Sequence, residues 1–516
     1  MKRVIRIAVI ALACLAIAAC GKSGQSGGGA SGSFTSSDPL YAGYDLNQPM
    51  TVYVYMVGDT PIDVEEVIAE ANAKYFKPIL NVTMELAFIS WGDLTTKYAL
   101  ILAGGEDVDI IFTAPWNYYE QESTKGSFVE ITEEYRNKWM PVTAKVLPPN
   151  AWLQMLTKGK VFGVPVNGSG LEGYKYVVIR DDIRTKYNLP EPTNWRSLEN
   201  YLFTVADREP TLQAYAAASA TAEVMYVYRQ ANDIQVGDYD FAWDGTGRRE
   251  PTPQELTYFY LTDGYLNYAL EMSRWADRGV WSKNVLNNTI AATDTFIQGK
   301  NASVFWNMSV FNAGKGMEDN GLGKAGYYDI TEDKPVRLAG YANNAFAIAS
   351  ATKSPERSGL TLDIMKNNKG LNALLIGGIE GRHYIDNGDG TYTPGPESAD
   401  YGFFSWAWAL GNPDTLQLYD PDAPPEQQLL ADNQEARVWE PLIDGFRFDS
   451  SPITTEWAVI SALVEEYANS FGCGAFGNQT RAKIDEFRAK LRTAGIDKVT
   501  QEYRNQYAAF VAKYGN

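Results

Sequence analysis

Apolar and polar positions change rhythm several times along this chain, and each change predicts an element. Val4 to Ala19 is apolar except for Arg6, and it follows Lys2 and Arg3. That run is short for a membrane span of roughly 20 residues, and its basic start makes it read as an export signal over residues 1–19. Glycine and serine then dominate, predicting a flexible tether over residues 20–45 with an r.m.s. reach of roughly 25–30 Å. Beyond it, Thr51 to Met56 alternates in β-branched and aromatic residues, as a strand does. Val64, Val67, Ile68, Ala71 and Tyr75 then recur at helical spacing, with Thr60 placed to cap and Pro61 at the first helical position. Val82, Met84, Leu86 and Phe88 mark one face of a second strand. A helix closed by Gly104 and Gly105 follows, and then the apolar strand within "DVDIIF". The order β-α-β-α-β predicts a parallel sheet covered by helices.

In open parallel sheets, ligands gather outside the carboxyl ends of the strands. Three loops leave those ends: Gly58-Asp59-Thr60, Ser90 to Asp93 around Trp91, and Thr113 to Asn117 around Trp116. Tryptophans in two of the three make them candidate binding loops.

Bulk numbers narrow the classes. A chain of 516 residues with 45% hydrophobic content divides into at least two well-packed lobes. The formal charge of −18 falls to −21 once Lys2, Arg3 and Arg6 of the signal are removed, which disfavours nucleic acid and anionic lipid headgroups as partners. After Cys14 and Cys20 only Cys473 remains, so no intrachain disulfide is expected. The single His383 leaves no material for a His-rich metal site or a Ser/Cys-His pair elsewhere. Neither metal nor cofactor is expected. Thirteen Trp and 32 Tyr against 21 Phe put polar-tipped rings in the majority.

Several motifs lose to simpler readings. Gly168 to Gly173, "GSGLEG", has the G-x-G-x-x-G spacing, but the strand-like "YKYVVI" follows where a dinucleotide site needs a helix. "SATK" at Ser350 to Lys353 lacks the companion motifs of a penicillin-binding enzyme. "DNGDGTY" at Asp386 to Tyr392 fits a hairpin turn better than a calcium loop. No local motif nominates the carboxylate pair of a glycosidase.

Two resemblances carry the reading further. Ile17-Ala18-Ala19-Cys20 resembles the lipobox of bacterial lipoproteins, which implies lipid attachment at Cys20 and anchoring at the outer face of the cell membrane. The order of strand, Gly-Val-Pro, Gly-rich link, strand ending in Arg-Asp and Trp-X-Ser-Leu helix in "GKVFGVPVNGSGLEGYKYVVIRDDIRTKYNLPEPTNWRSLENY" resembles family 1 extracellular solute-binding proteins, the sugar-binding components of ABC importers. "DIIFTAPW", "FIQGKNASVFWN" and "NNAFAIASATKSPE" match further segments in order, and "SPITTEWAVISALVEEY" with the terminal residues resembles a C-terminal extension of unassigned role.

That resemblance implies an α/β bilobal fold of the periplasmic-binding-protein type (type II), with a multi-crossover hinge. Lobe 1 is expected over residues 46–168 plus about 335–385, lobe 2 over 169–334 plus about 386–450, and a C-terminal helical extension over 451–516. The chain would pass between lobes near 166–175 and 330–340, with glycines at 163, 168, 170 and 173 easing the first passage. The implied protein is a monomer that is not an enzyme. It closes on a carbohydrate, an oligosaccharide in the first reading, and hands it to permease subunits. A carbohydrate-active enzyme or an adhesion lipoprotein are the alternatives.

For ligand contacts, an indole packs on the apolar face of a pyranose while amides and carboxylates bond its hydroxyls. Trp91, Trp116, Trp243 and Trp306 each stand near a polar partner, Asp93, Asn117, Asp244 and Asn307. Each could equally be a core tryptophan. The resemblance favours Trp116, Asn117, Trp306 and Asn307; Asp59, Glu172, Asn343, Asn344 and Trp408 are candidates from position. Thr113 departs from the family, whose best-known members carry an aromatic directly after "DIIF".

Overall fold

The computed structural model describes residues 33–515, except 91, 106, 169–174, 217–221, 289, 332–333, 338–339, 389–390, 402–408, 412–416 and 419–422. The first lobe is built on a five-stranded sheet ordered Val82–Ile89, Met50–Val57, Ile110–Thr113, Ala345–Ile348, Val164–Pro165. The first three strands are parallel, in register from Met50 against Val82 to Val57 against Ile89; Ala345–Ile348 runs antiparallel to them, and Val164–Pro165 pairs antiparallel with it. The expected parallel unit is therefore present, closed by a strand that returns from over 200 residues away.

The first helix starts later than its sequence suggests. It begins at Val64 with Asp63 before it, and the Asp63 side chain makes no capping bond. Its carboxylate instead accepts from Arg382 Nη2 at 2.8 Å and lies 3.1 Å from His383 Nε2. The residue at the helix start is spent on a tertiary ion pair rather than on a cap, and Thr60 does not cap the helix as expected. The second helix ends at Gly104, whose φ of 101° is the left-handed conformation that glycine adopts without strain.

The second lobe centres on Tyr176–Arg180, flanked antiparallel by Ser303–Trp306 and Ala325–Tyr328. A second antiparallel sheet of Ile234–Val236, Phe241–Asp244 and Thr257–Tyr258 lies in the same lobe. The chain thus leaves one sheet after Pro165 and joins the other at Tyr176, then returns between Tyr328 and Ala345, as the two expected passages require. On the return, Val336 pairs with Val438, so two connecting segments run side by side between the lobes.

Two expected boundaries move, and the C-terminal extension packs on one lobe. The tether packs well before residue 45: Ser36 and Tyr41 are buried, and the Tyr41 hydroxyl donates to Asp363 at 2.9 Å, because Phe34, Leu40 and Tyr41 break the Gly/Ser composition. Residues 386–410, expected in lobe 2, belong to the first lobe. Tyr401, Ala409 and Leu410 lie in its core, the Tyr401 hydroxyl donates to Leu375 O at 2.7 Å, and Asn372 Nδ2 donates to Leu410 O at 3.0 Å. The C-terminal helices Thr454–Gly472, Thr480–Thr493 and Ile496–Tyr514 join the second lobe's core, where Tyr503 stacks on Phe241 with ring centroids 3.8 Å apart.

Candidate functional site

The loop after Ile110–Thr113 carries the first-lobe contribution. Trp116 is 48% exposed, and its Nε1–H donates to the Asn343 carbonyl at 2.7 Å, fixing the indole beside the connecting segment. Phe112 supports it at a centroid distance of 5.7 Å. Asn117, expected to face a ligand, is buried instead and bonds its own loop: its N–H donates to Ala114 O at 2.8 Å. It shapes the turn that presents Trp116. Asp59 is exposed in the loop beyond Met50–Val57. Asn343 gives its carbonyl to Trp116, and Asn344 is buried at the same segment.

On the second lobe Trp306 ends its strand partly exposed, and Tyr226 lies beside it with centroids 6.0 Å apart. The Lys175 ammonium sits 5.1 Å from the Trp306 ring and 5.9 Å from Tyr226, and the Arg229 guanidinium is 5.3 Å from Tyr226. Asn307 turns inward to accept from Ser309 N at 3.0 Å. Trp243 is the clear correction. It is 5% exposed in the lobe's core, with the Arg337 guanidinium 4.9 Å from its ring, so the face expected to stack on a sugar is already covered. Trp91, Glu172, Trp408 and the lipid-attachment Cys20 lie outside the described residues.

Two cavities flank the connecting residues 335–340. The larger, about 300 Å³, is walled by Pro115, Glu120 and Gln154 of the first lobe, Gly237 and Asp238 of the second, and Asp444, Arg447 and Phe448 beyond them. Tyr239 bridges its sides: its hydroxyl donates to Glu120 Oε1 at 3.4 Å and lies 3.1 Å from Ser450 Oγ. Loss of water around the Glu120 carboxyl, with Asp238 nearby, holds it above the usual carboxylate range. Burial does the same to Asp238, against the pull of Arg447. Arg337 pairs with Asp444 and also donates to Val236 O at 3.0 Å. The smaller cavity, about 140 Å³, is lined by Lys175, Tyr226, Arg229, Gln230, Gln235 and Arg337.

Tyr226, Arg229 and Gln230 were not singled out by sequence. Their positions i, i+3 and i+4 on the helix Ala222–Ala231 place them on one face, the only signal available. A possible ion site elsewhere is already neutralised. Asp63, His383 and Glu397 bring ligand atoms within 4.8 Å of one another, but Arg382 bonds Asp63, Glu66 and Glu397 and supplies the positive charge.

Residues 442–512 match a family described as a domain of unknown function, DUF3502. Over 496 residues the chain is 22% identical to a carbohydrate ABC transporter substrate-binding protein of Streptococcus pneumoniae, covering 93% of this chain and 95% of that one. The N-glycan transport solute binding protein NgtS of the same organism superimposes with a TM-score of 0.72 at 19% identity, over 91% of this chain and all of that chain. The NgtS complex with Man5GlcNAc gives a TM-score of 0.66, again at 19% identity, over 90% of this chain and 99% of that one. These relatives are solute-binding proteins rather than enzymes. The expected architecture is thus met along nearly the whole chain: its fold is that of the two-lobed extracellular solute-binding proteins, with DUF3502 at its C-terminal end.

Proposed function

We propose that this protein is the solute receptor of an ABC importer, anchored to the membrane through lipid on Cys20, that captures an oligosaccharide between its lobes and delivers it to the permease without chemical change. One observation carries the reading: Trp116, in the loop at the carboxyl end of a first-lobe strand, and Trp306 with Tyr226 on the second lobe offer partly exposed aromatic faces. Aromatic faces suit pyranoses, whose C–H surfaces are apolar, and Asp59 with the polar walls of the larger cavity offers partners for hydroxyls. The relatives named for carbohydrate and N-glycan transport support the same ligand class. No helix among the described residues is long and apolar enough to cross a membrane.

A thermal-shift and calorimetric screen of oligosaccharides, mannose-containing N-glycan fragments among them, tests this. A ligand at one hundred times its Kd stabilises the folded state by about 2.7 kcal/mol, a readable rise in Tm. Trp116→Ala and Trp306→Ala should each weaken the hit by at least tenfold while Tm without ligand changes little. A screen in which peptides or other solutes raise Tm and no saccharide does would overturn the ligand class. Unchanged affinity in both variants would overturn the site.

A further inference from the structure

The smaller cavity is chemically unlike the rest of the molecule. On a chain of net charge −18, Lys175, Arg229 and Arg337 converge on a space of about 140 Å³. Three N–H groups there, Arg229 Nε, Arg337 Nε and Gln230 Nε2, are shut off from solvent with no hydrogen-bond partner. Buried donors are paired in nearly all native proteins, so three unpaired ones on residues around one cavity leave donor capacity just behind its wall that an acceptor in the cavity could draw on. Among the described residues, Arg229 has no carboxylate within 4.0 Å. Among the described residues, Asp444 and Asp240 act on these guanidiniums. Asp444 is taken by Arg337 Nη2, and Asp240 acts on Arg229 from beyond ion-pair distance while burial raises its own carboxyl. Burial also lowers the Arg229 guanidinium to about 10, the mark of a cation that lacks a close counter-charge.

The cavity adjoins the stacking face. Tyr226, 41% exposed, neighbours both Arg229 and Trp306, with Lys175 over both rings. A sugar lying on Trp306 and Tyr226 would direct a ring substituent towards Arg229. The volume corresponds to a few waters of about 30 Å³ each, room for a carboxyl group and the ring carbons that bear it but not for a second sugar. Guanidinium groups match a planar carboxylate in a way that a neutral hydroxyl cannot equal.

We propose that this cavity is a subsite for the carboxylate of an acidic sugar residue, so that the ligand class is an acidic oligosaccharide. The proposal rests on the receptor reading above. It is tested on the full chain by calorimetry with matched probes: trigalacturonate against its methyl ester, trimannuronate against its methyl ester, and sialyllactose against lactose. At least one acid should bind tenfold or more tighter than its neutral counterpart, with the preference shrinking between 50 mM and 500 mM NaCl. Arg229→Gln and Lys175→Gln, each checked for a native circular dichroism spectrum, should narrow that gap. Should neutral saccharides bind as well as or better than the acids, or should both variants leave an acid preference intact, the subsite is wrong although the receptor stands. If no saccharide in this panel or in the broader screen binds, the receptor reading falls and the subsite with it.

Discussion

Lys366 gives the sharpest physical test of the hinge. It is 1% exposed near the end of the helix Pro355–Asn367, and its ammonium donates to the Pro165 carbonyl at 2.5 Å, where the chain leaves the first sheet. Asn167, two residues further, donates to Lys366 O at 3.3 Å. Burial outweighs the attraction of Asp363 and lowers the Lys366 amine from 10.5 to about 7. The unfolded chain therefore binds more protons than the folded one between about pH 7 and 10.5. Lys366 disfavours the fold fully below about pH 7, and the penalty fades as pH rises through that window. Between pH 6 and pH 9 these two values imply that wild type gains roughly 2–3 kcal/mol over a variant without the amine. Urea unfolding of wild type and Lys366→Met at both pH values measures this, because the double difference cancels every other titration. A difference that moves by less than about 0.5 kcal/mol, small against the several kcal/mol that a lowered buried amine carries, would refute the buried-cation account.

Two further outcomes follow from the packing and the larger cavity. Phe487→Ala removes a fully buried ring stacked on Tyr467 at 4.9 Å and should cost roughly 3–5 kcal/mol in urea unfolding, since large core truncations leave a cavity; a loss under about 1 kcal/mol would separate the C-terminal helices from the second lobe's core. The raised Glu120 carboxyl favours the fold below its ordinary value of 4.5, and that advantage is lost as pH rises through the folded value; Glu120→Gln should therefore gain in Tm over wild type from pH 4 to pH 7, and a constant difference would refute it.

Elements set by local rhythm were legible in the sequence. The three parallel strands follow from two alternating stretches and one apolar run, and Gly104 ends its helix for a reason of backbone geometry. What depended on distant partners was not. The helix starts at Val64 rather than at Pro61, and Asp63 before it meets Arg382, more than 300 residues away. Trp243 and Trp306 look alike in sequence, each at a strand end before a polar residue, yet Arg337 covers the first. The hairpin from Tyr384 gives no sign of which lobe will receive it, and Tyr401 and Leu410 decide that by bonding into the first lobe's helices. Arg229 was invisible as a site residue because its meaning lies in what it fails to pair with.

The C-terminal family match begins at 442, not at the helix near 454, and the contacts account for that boundary. Its helices share the second lobe's core, but residues 442–450 reach across to the first. Gly445 lies so close to the helix Pro149–Leu153 that an added Cβ would come within 3.0 Å of Asn150 Oδ1 and 3.1 Å of Leu153 Cβ. Asp444 holds Arg337 on the connecting segment, Phe448 N donates to Asp238 at 3.1 Å, and Ser450 shares the Tyr239 hydroxyl with Glu120. A rotation of one lobe on the other must change the Tyr239–Glu120 distance or slide Gly445 along that helix. The domain thus forms a wall of the interlobe cavity, packed into one lobe's core and in contact with the other, and its leading residues join the two lobes rather than forming an appended tail.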